Sequence, residues 1–360
     1  MAKKVLMKGN EAIAEAAIQA GCLYFFGYPI TPQTEIAEYM AKRLPKVGGL
    51  CLQAESEVAA INMTMGAAAG GTRAMTSSSS PGIALKSEGI SYIAGCDLPC
   101  LIVNVQRGGP GLGGIQASQG DYFQATKGGG HGDYHLVVYA PASVQEVVDL
   151  MGVAFDTADR YRNPVMVVAD GIIGQMMEPV ELPEPREYRI DPAKKPWAAT
   201  GWTPESGRER AVINSLYIEI EELDELNMRL QARYDEIRKN ETRWESYQLE
   251  GAEFVACAYG TVARICKAAI DELREEGIRV GLLRPITLWP FPEKAVREAA
   301  MADGVRGVLT VELNAGQMLE DVRLAVNGAK PVSFLGHPGS KMPTVEEIKS
   351  AIRRMKEEQA

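Results

Sequence analysis

The chain predicts an α/β protein in two units, each a parallel sheet with helices on both faces. Three observations lead there. Short apolar runs alternate with helical patterns along most of the sequence, and parallel strands buried on both faces need crossover helices between them. The rhythm breaks once, over 178–204, where six of the chain's 20 prolines gather. It resumes near Gly251.

Each element follows from its residues. Apolar side chains recur at helical spacing over 10–21, and 22–28 is a short apolar and aromatic strand ending at a proline loop. A helix covers 33–43. Glu57 opens an Ala-rich, almost uncharged helix over 57–70, which on composition must be deeply packed. The small polar run 74–82 ends a strand and starts the next helix. An apolar strand over 98–105 leads into Gln106-Arg107, a helix spans 143–160, and a strand follows over 164–170. Beyond the proline-rich linker, Leu216, Ile220, Leu223, Leu226, Leu230, Tyr234 and Ile237 recur at steps of three or four, which predicts an amphipathic helix of about 40 residues. In the second unit, strands at 254–260, 280–285, 307–312 and 331–335 alternate with four helices. The first of these helices, 262–276, is expected to take Thr261 as its N-cap and to stop at Gly277.

Composition excludes several classes. A net charge of −9 with no basic cluster argues against a nucleic-acid surface. No apolar run reaches the ~18 residues of a membrane span, and the N-terminus lacks the apolar stretch of a secretory signal, so the cytoplasm is the expected compartment. Cys22, Cys51, Cys96, Cys100, Cys257 and Cys266 contain no Cys-x-x-Cys pair, so neither zinc nor an iron–sulfur cluster is expected in this chain. His131 and His135 lack a third ligand and read as loop residues. No Gly-x-Gly-x-x-Gly or P-loop follows any strand.

Two stretches stand out, since each ends an apolar run in a loop. In Tyr28-Pro29-Ile30-Thr31-Pro32 the prolines fix two φ angles and hold Thr31 outward. In Gln53-Ala54-Glu55-Ser56-Glu57 the last residue stands at the start of the Ala-rich helix, where a carboxyl is either an N-terminal cap or a working acid. Arg107, at the end of a buried strand, either binds an anionic substrate or pairs with an acid such as Asp121.

These stretches, with 76–82, Arg107-Gly108-Gly109-Pro110 and Val311-Glu312-Leu313-Asn314-Ala315-Gly316-Gln317-Met318, resemble the alpha subunit of 2-oxoacid:ferredoxin oxidoreductases, in order along nearly the whole chain. In appearance the sequence is most similar to the branched-chain, 2-oxoisovalerate type. The resemblance implies a pyrimidine-binding domain for thiamine diphosphate over 1–180, the proline-rich linker and long helix over 181–250, and a domain like the C-terminal one of transketolases over 251–360. Glu57 would hydrogen-bond the aminopyrimidine ring, with Pro29 and Ile30 lining the cofactor. Thr31 and Arg107 would meet the 2-oxoacid.

Parts of such a site are missing here. Diphosphate is held through Mg²⁺ by a Gly-Asp-Gly motif and a later Asn; the nearest match is Ala169-Asp170-Gly171, and the next Asn is Asn214, beyond the linker. The resemblance therefore implies a beta subunit that grips thiamine diphosphate and Mg²⁺, a gamma subunit, and a ferredoxin-like subunit with the iron–sulfur clusters. The assembled enzyme would convert a 2-oxoacid, coenzyme A and oxidised ferredoxin to acyl-CoA, carbon dioxide and reduced ferredoxin. Alternatives are 2-oxoglutarate or pyruvate as substrate, or a noncatalytic assembly or small-molecule-binding subunit on the same fold. A transketolase-like transferase lacks the histidines usual for sugar substrates. The loop 108–122 holds no Lys, Arg or His, and its Leu112 and Ile115 suit an aliphatic tail better than a second carboxylate, for which Lys127, His131 or a partner chain would have to supply the charge.

Overall fold

The computed structural model describes residues 4–188 and 190–358. The first unit runs β1 (Lys4–Lys8), α1 (Gly9–Gln19), β2 (Tyr24–Gly27), α2 (Thr34–Arg43), β3 (Leu50–Gln53), α3 (Glu57–Ala69) and β4 (Ala74–Ser78). It continues with α4 (Ser80–Gly95), β5 (Leu101–Gln106), α5 (Tyr122–Thr126), β6 (Val137–Tyr139), α6 (Val144–Tyr161), β7 (Val165–Asp170), α7 (Gly171–Gln175) and β8 (Met177–Glu181). Then come α8 (Ile220–Glu241), β9 (Trp244–Tyr247), β10 (Phe254–Cys257), α9 (Gly260–Glu275), β11 (Val280–Pro285) and β12 (Thr287–Trp289). The chain closes with α10 (Glu293–Met301), β13 (Gly307–Glu312), α11 (Gln317–Val326), β14 (Val332–Gly336) and α12 (Val345–Glu357).

The first sheet has the order β12-β6-β7-β5-β4-β2-β3, parallel except where β12 runs against β6. Strands β4, β5 and β7 are buried along their whole length because helices cover both faces. From β2 the chain steps outward to β3, then crosses back to β4 on the other side of β2. That reversal is a topological switch point. In open parallel sheets, the connections beyond the carboxyl ends of the strands diverge there and leave a crevice for ligands. The Tyr28 loop, Glu57, Ser79 and Arg107 follow the carboxyl ends of β2, β3, β4 and β5, so the fold gathers them on one edge.

The second sheet has the order β14-β13-β10-β11-β9, with β9 antiparallel at its edge. All four expected strands are present, but β12, which follows β11 by one residue, leaves to extend the first sheet. The long helix is 22 residues rather than about 40. Its apolar stripe finds a surface only from Leu226 through Leu230, Tyr234 and Ile237, while Leu216, Ile220 and Leu223 are exposed and nothing holds the preceding segment in helix. Tyr259 stands at the N-cap of α9 without a side-chain capping bond, so Thr261 is not its cap. The proline-rich linker lies along the first unit: Arg186 N donates to Gln19 O, Tyr188 Oη to Gly71 O and Ala199 N to Ala69 O.

The Ala-rich helix α3 is packed on one side only. Glu57, Ala60, Ile61, Thr64 and Ala68 are buried, whereas Val58 is 46% exposed and Asn62 and Gly66 face outward. Its lack of charge is not explained by burial within this chain.

A polar seam locks the second unit onto the loop that follows Arg107. Gln119 Nε2 donates to Tyr259 O (3.0 Å), its Oε1 accepts from Leu313 N (2.9 Å), and its backbone oxygen accepts from Asn314 Nδ2 (2.9 Å). Gln317 bonds both Gly120 O and Phe123 N, and Asp321 accepts from Tyr122 Oη and pairs with Lys127. Replacing Gln119 by Leu leaves two buried backbone groups unpaired, at about 1–3 kcal/mol each. The expected result is an earlier urea transition with loosened domain docking; an unchanged midpoint would show that the seam is incidental.

Candidate active site

Glu57 begins α3, but it is not the cap. Ser56 is, its Oγ accepting from Ala59 N at 3.1 Å. The Glu57 carboxylate is therefore spare, and with the residue only 6% exposed it receives no hydrogen bond from any described residue. It lies against the first turn of α4, where a Cβ on Gly82 would come within 2.8 Å of Glu57 Oε1 and would collide with Ser78 Oγ. Only glycine leaves that space open. The hydroxyls of Ser78 and Ser79, just before this turn, are buried and have no partner. A buried acceptor thus stands beside two buried hydroxyls that have no partner among the described residues.

The proline loop is anchored from three sides. Gln33, fully buried, accepts from Ser77 Oγ at 2.6 Å and donates to Tyr28 O at 3.3 Å, tying the loop to β4. Asn10 Nδ2 and Gln175 Nε2 both donate to Pro32 O. The Thr31–Pro32 peptide is cis, and Thr31 is exposed at the rim, as are Pro29 and, in part, Ile30.

Arg107 does not pair with Asp121. Its Nη1 donates to Thr31 O (2.9 Å) and its Nη2 to Leu112 O (3.0 Å), so one guanidinium joins the proline loop to the glycine-rich loop. Asp121 instead accepts from Ser80 Oγ (2.5 Å) and Asn104 Nδ2 (2.9 Å), and burial pushes its carboxyl above the usual range. Arg107 is thus a buried cation held by neutral carbonyls, with Nε unpartnered and no carboxylate paired to it among the described residues. Such a charge is incomplete without an anion.

Other candidates fall elsewhere. Asp170 caps α7, accepting from Ile172 N and Ile173 N, which occupies its carboxylate. Lys127 is engaged by Asp321 at the interdomain seam. Leu112 is 85% exposed, whereas Ile115, 59% exposed, borders an apolar hollow of about 510 Å³ beside Thr31, Ile172 and Met342. Gln33, Ser77, Asn104 and Lys86, all fully buried, escaped the sequence reading. Their signal was polar residues inside otherwise apolar strand and helix patterns.

A family description for the thiamine-diphosphate-binding part of pyruvate flavodoxin/ferredoxin oxidoreductases matches residues 15–242, and one for core domain II of pyruvate:ferredoxin oxidoreductase matches 252–348. The chain belongs to the 2-oxoacid:ferredoxin oxidoreductase family. It is 47% identical to a ketoisovalerate oxidoreductase subunit VorB of Methanothermobacter thermautotrophicus over 97% of both chains. It is 38% identical to a 2-oxoglutarate synthase subunit KorA of Methanocaldococcus jannaschii, covering 97% of this chain and 99% of that one. Among solved structures, 2-oxoglutarate:ferredoxin oxidoreductase from Magnetococcus marinus superposes with a TM-score of 0.87 at 27% identity. That match covers 98% of this chain but 65% of its counterpart. A split-gene transketolase, 14% identical with a TM-score of 0.60, shares the fold.

Family members are multi-subunit thiamine-diphosphate enzymes, and this chain is one subunit of such an oxidoreductase. Among the described residues no helix is long and apolar enough to cross a membrane. The spare carboxylate of Glu57 and the unpartnered Ser78 and Ser79 hydroxyls fit the nitrogen-rich edge of an aminopyrimidine. Gly82→Ala displaces Glu57, and a misplacement of about 1 Å at a reacting centre costs up to about 10²-fold. Assays of the assembled enzyme should show turnover down by about 10- to 100-fold; full activity would mean that Glu57 does not need this cradle.

Proposed function

We propose that this chain supplies the proton-handling acid and the substrate cation of an oxidoreductase that decarboxylates branched-chain 2-oxoacids. The observation that carries the reading is the pairing on one sheet edge of a buried carboxylate with no donor and a buried guanidinium with no carboxylate. Glu57 would hold the aminopyrimidine ring nitrogen and share a proton with it. Bound thiamine diphosphate would supply the carbon nucleophile and the electron sink. Arg107 would take the 2-oxoacid carboxylate, its two bonded arms fixing the loops around it. Thr31 would offer its hydroxyl to the keto oxygen, and Pro29 and Ile30 would pack against the cofactor.

The diphosphate, its Mg²⁺ and the iron–sulfur clusters belong, in this reading, to partner subunits. Two features support a completed site only in the assembly: the open apolar face of α3, and a capped Asp170 in place of a metal-binding acid. Six unpaired cysteines suit the reducing cytoplasm.

The branched-chain assignment rests on the higher identity to ketoisovalerate enzymes than to 2-oxoglutarate enzymes, and on the absence of a free cation from the loop 108–122. Lys127, one candidate partner for a second substrate carboxylate, is already paired with Asp321. In the assembled enzyme, kcat/KM for 2-oxoisovalerate should exceed that for pyruvate and 2-oxoglutarate. Preference for 2-oxoglutarate would overturn the assignment. Glu57→Gln should leave assembly intact and lower turnover by about 10²-fold or more, the usual loss for a positioned acid or base. Unchanged turnover would reduce Glu57 to a structural residue.

A further inference from the structure

Lys86 has 0% exposure, in a helix whose one other charged residue is Glu88. It stands four residues after Gly82, so the two share one face of α4, and the side chain of a helical residue leans back toward the helix N-terminus. The Gly82 turn is where the Glu57 carboxylate rests. Lys86 and the Glu57 carboxylate therefore both meet the Gly82 face of α4. Its Nζ makes one hydrogen bond, to Thr76 Oγ1 on β4 at 2.6 Å, although an ammonium has three protons to donate.

We propose that Lys86 is a positioning residue whose buried charge acts on the Glu57 carboxylate and sets how firmly that carboxylate holds its proton. The inference rests on the reading of Glu57 as the proton-handling acid. Two acidic groups act on Lys86: Glu57 from α3 and Cys100 from the segment before β5. Burial drives the Cys100 thiol up to about 12, so it is neutral near pH 7 and Glu57 is left as the counter-charge. Burial likewise brings Lys86 down to about 7 from 10.5. The lysine can therefore gain or lose its charge near physiological pH, while Thr76 holds its nitrogen in place.

Stability gives a signature independent of activity. Below pH 7 the lysine is charged in both folded and unfolded chains, and folding must bury that charge. Between pH 7 and 10.5 the unfolded chain holds the proton and the folded chain does not, so stability rises with pH over that window and the penalty is gone above it. Replacing Lys86 by Met keeps the volume and removes the charge, so the variant should melt above the wild type at pH 6, with the gap closing toward pH 10.

The experiment uses the assembled enzyme with Lys86→Met, Lys86→Gln and Glu57→Gln. Both Lys86 substitutions remove the positive charge that acts on the Glu57 carboxylate. For both Lys86 variants the alkaline limb of the kcat profile should move up by about one pH unit, with kcat lower by about tenfold and KM for the 2-oxoacid within about twofold. If both keep the wild-type profile while Glu57→Gln is inactive, the Lys86 proposal fails alone. If Gln restores the wild-type profile and Met does not, Lys86 is a hydrogen-bonding strut and the proposal is overturned. If Glu57→Gln is fully active, the reading of Glu57 fails, and this inference with it. Should the Met variant not assemble, the Gln variant carries the same test.

Discussion

Burying an ionised side chain without a matching partner is costly, and the carboxyl edge of the first sheet does so repeatedly. Glu57 has no donor, Arg107 has only carbonyl acceptors, and Lys86 has only a hydroxyl. A protein stabilised for its own sake would have paired these charges or replaced them. Here Glu57 and Arg107 are held by anchored elements, as groups are when their partners arrive with a ligand. The rest of the first unit follows from that requirement: Gln33 and Asn10 pin the proline loop, Gly82 clears space for Glu57, and Ser80 and Asn104 draw Asp121 away from the Arg107 guanidinium.

The second unit serves the same edge from outside. Its closing motif, Glu312 to Met318, makes bonds that shape a helix start and hold the first unit's loop. Glu312 accepts from Met318 N and Leu319 N to shape the start of α11, and Leu313, Asn314 and Gln317 grip residues 119–123. Those residues end the loop that Arg107 begins. The loop is thus fixed at its origin by a guanidinium and at its end by a second domain, leaving Leu112 at an exposed tip.

Much of the fold was legible because periodicity reports burial: continuous apolar runs gave the central strands, and most of the linker's prolines fall in the stretch between β8 and α8 that forms no long element. Where apolar spacing had no surface to meet, reading failed. Leu216, Ile220 and Leu223 carry the helical spacing, yet only the turns from Leu226 onward pack, so a helix expected at about 40 residues stops at 22. The apolar character of α3 was legible, but not that half of it would stand uncovered, since sequence does not say which chain covers a helix. The candidate residues Thr31, Glu57 and Arg107 were picked out by loop chemistry at strand ends, and they lie on one edge of the first sheet. Asp121 was a reasonable partner for Arg107 by charge alone, and only the positions of Ser80 and Asn104 decide otherwise. Lys86 was hidden because one lysine in a helical pattern reads as solvent-facing.

The central claim is that this chain holds the acid and the substrate cation but not the diphosphate grip, so the cofactor site is completed by another subunit. Calorimetric titration of thiamine diphosphate with Mg²⁺, into the isolated chain and into the complex purified with its partner subunits, tests it most directly. The account predicts binding to the isolated chain at least about 100-fold weaker than to the complex, a difference of about 2.7 kcal/mol. Equally tight, Mg²⁺-dependent binding to the chain alone would contradict it.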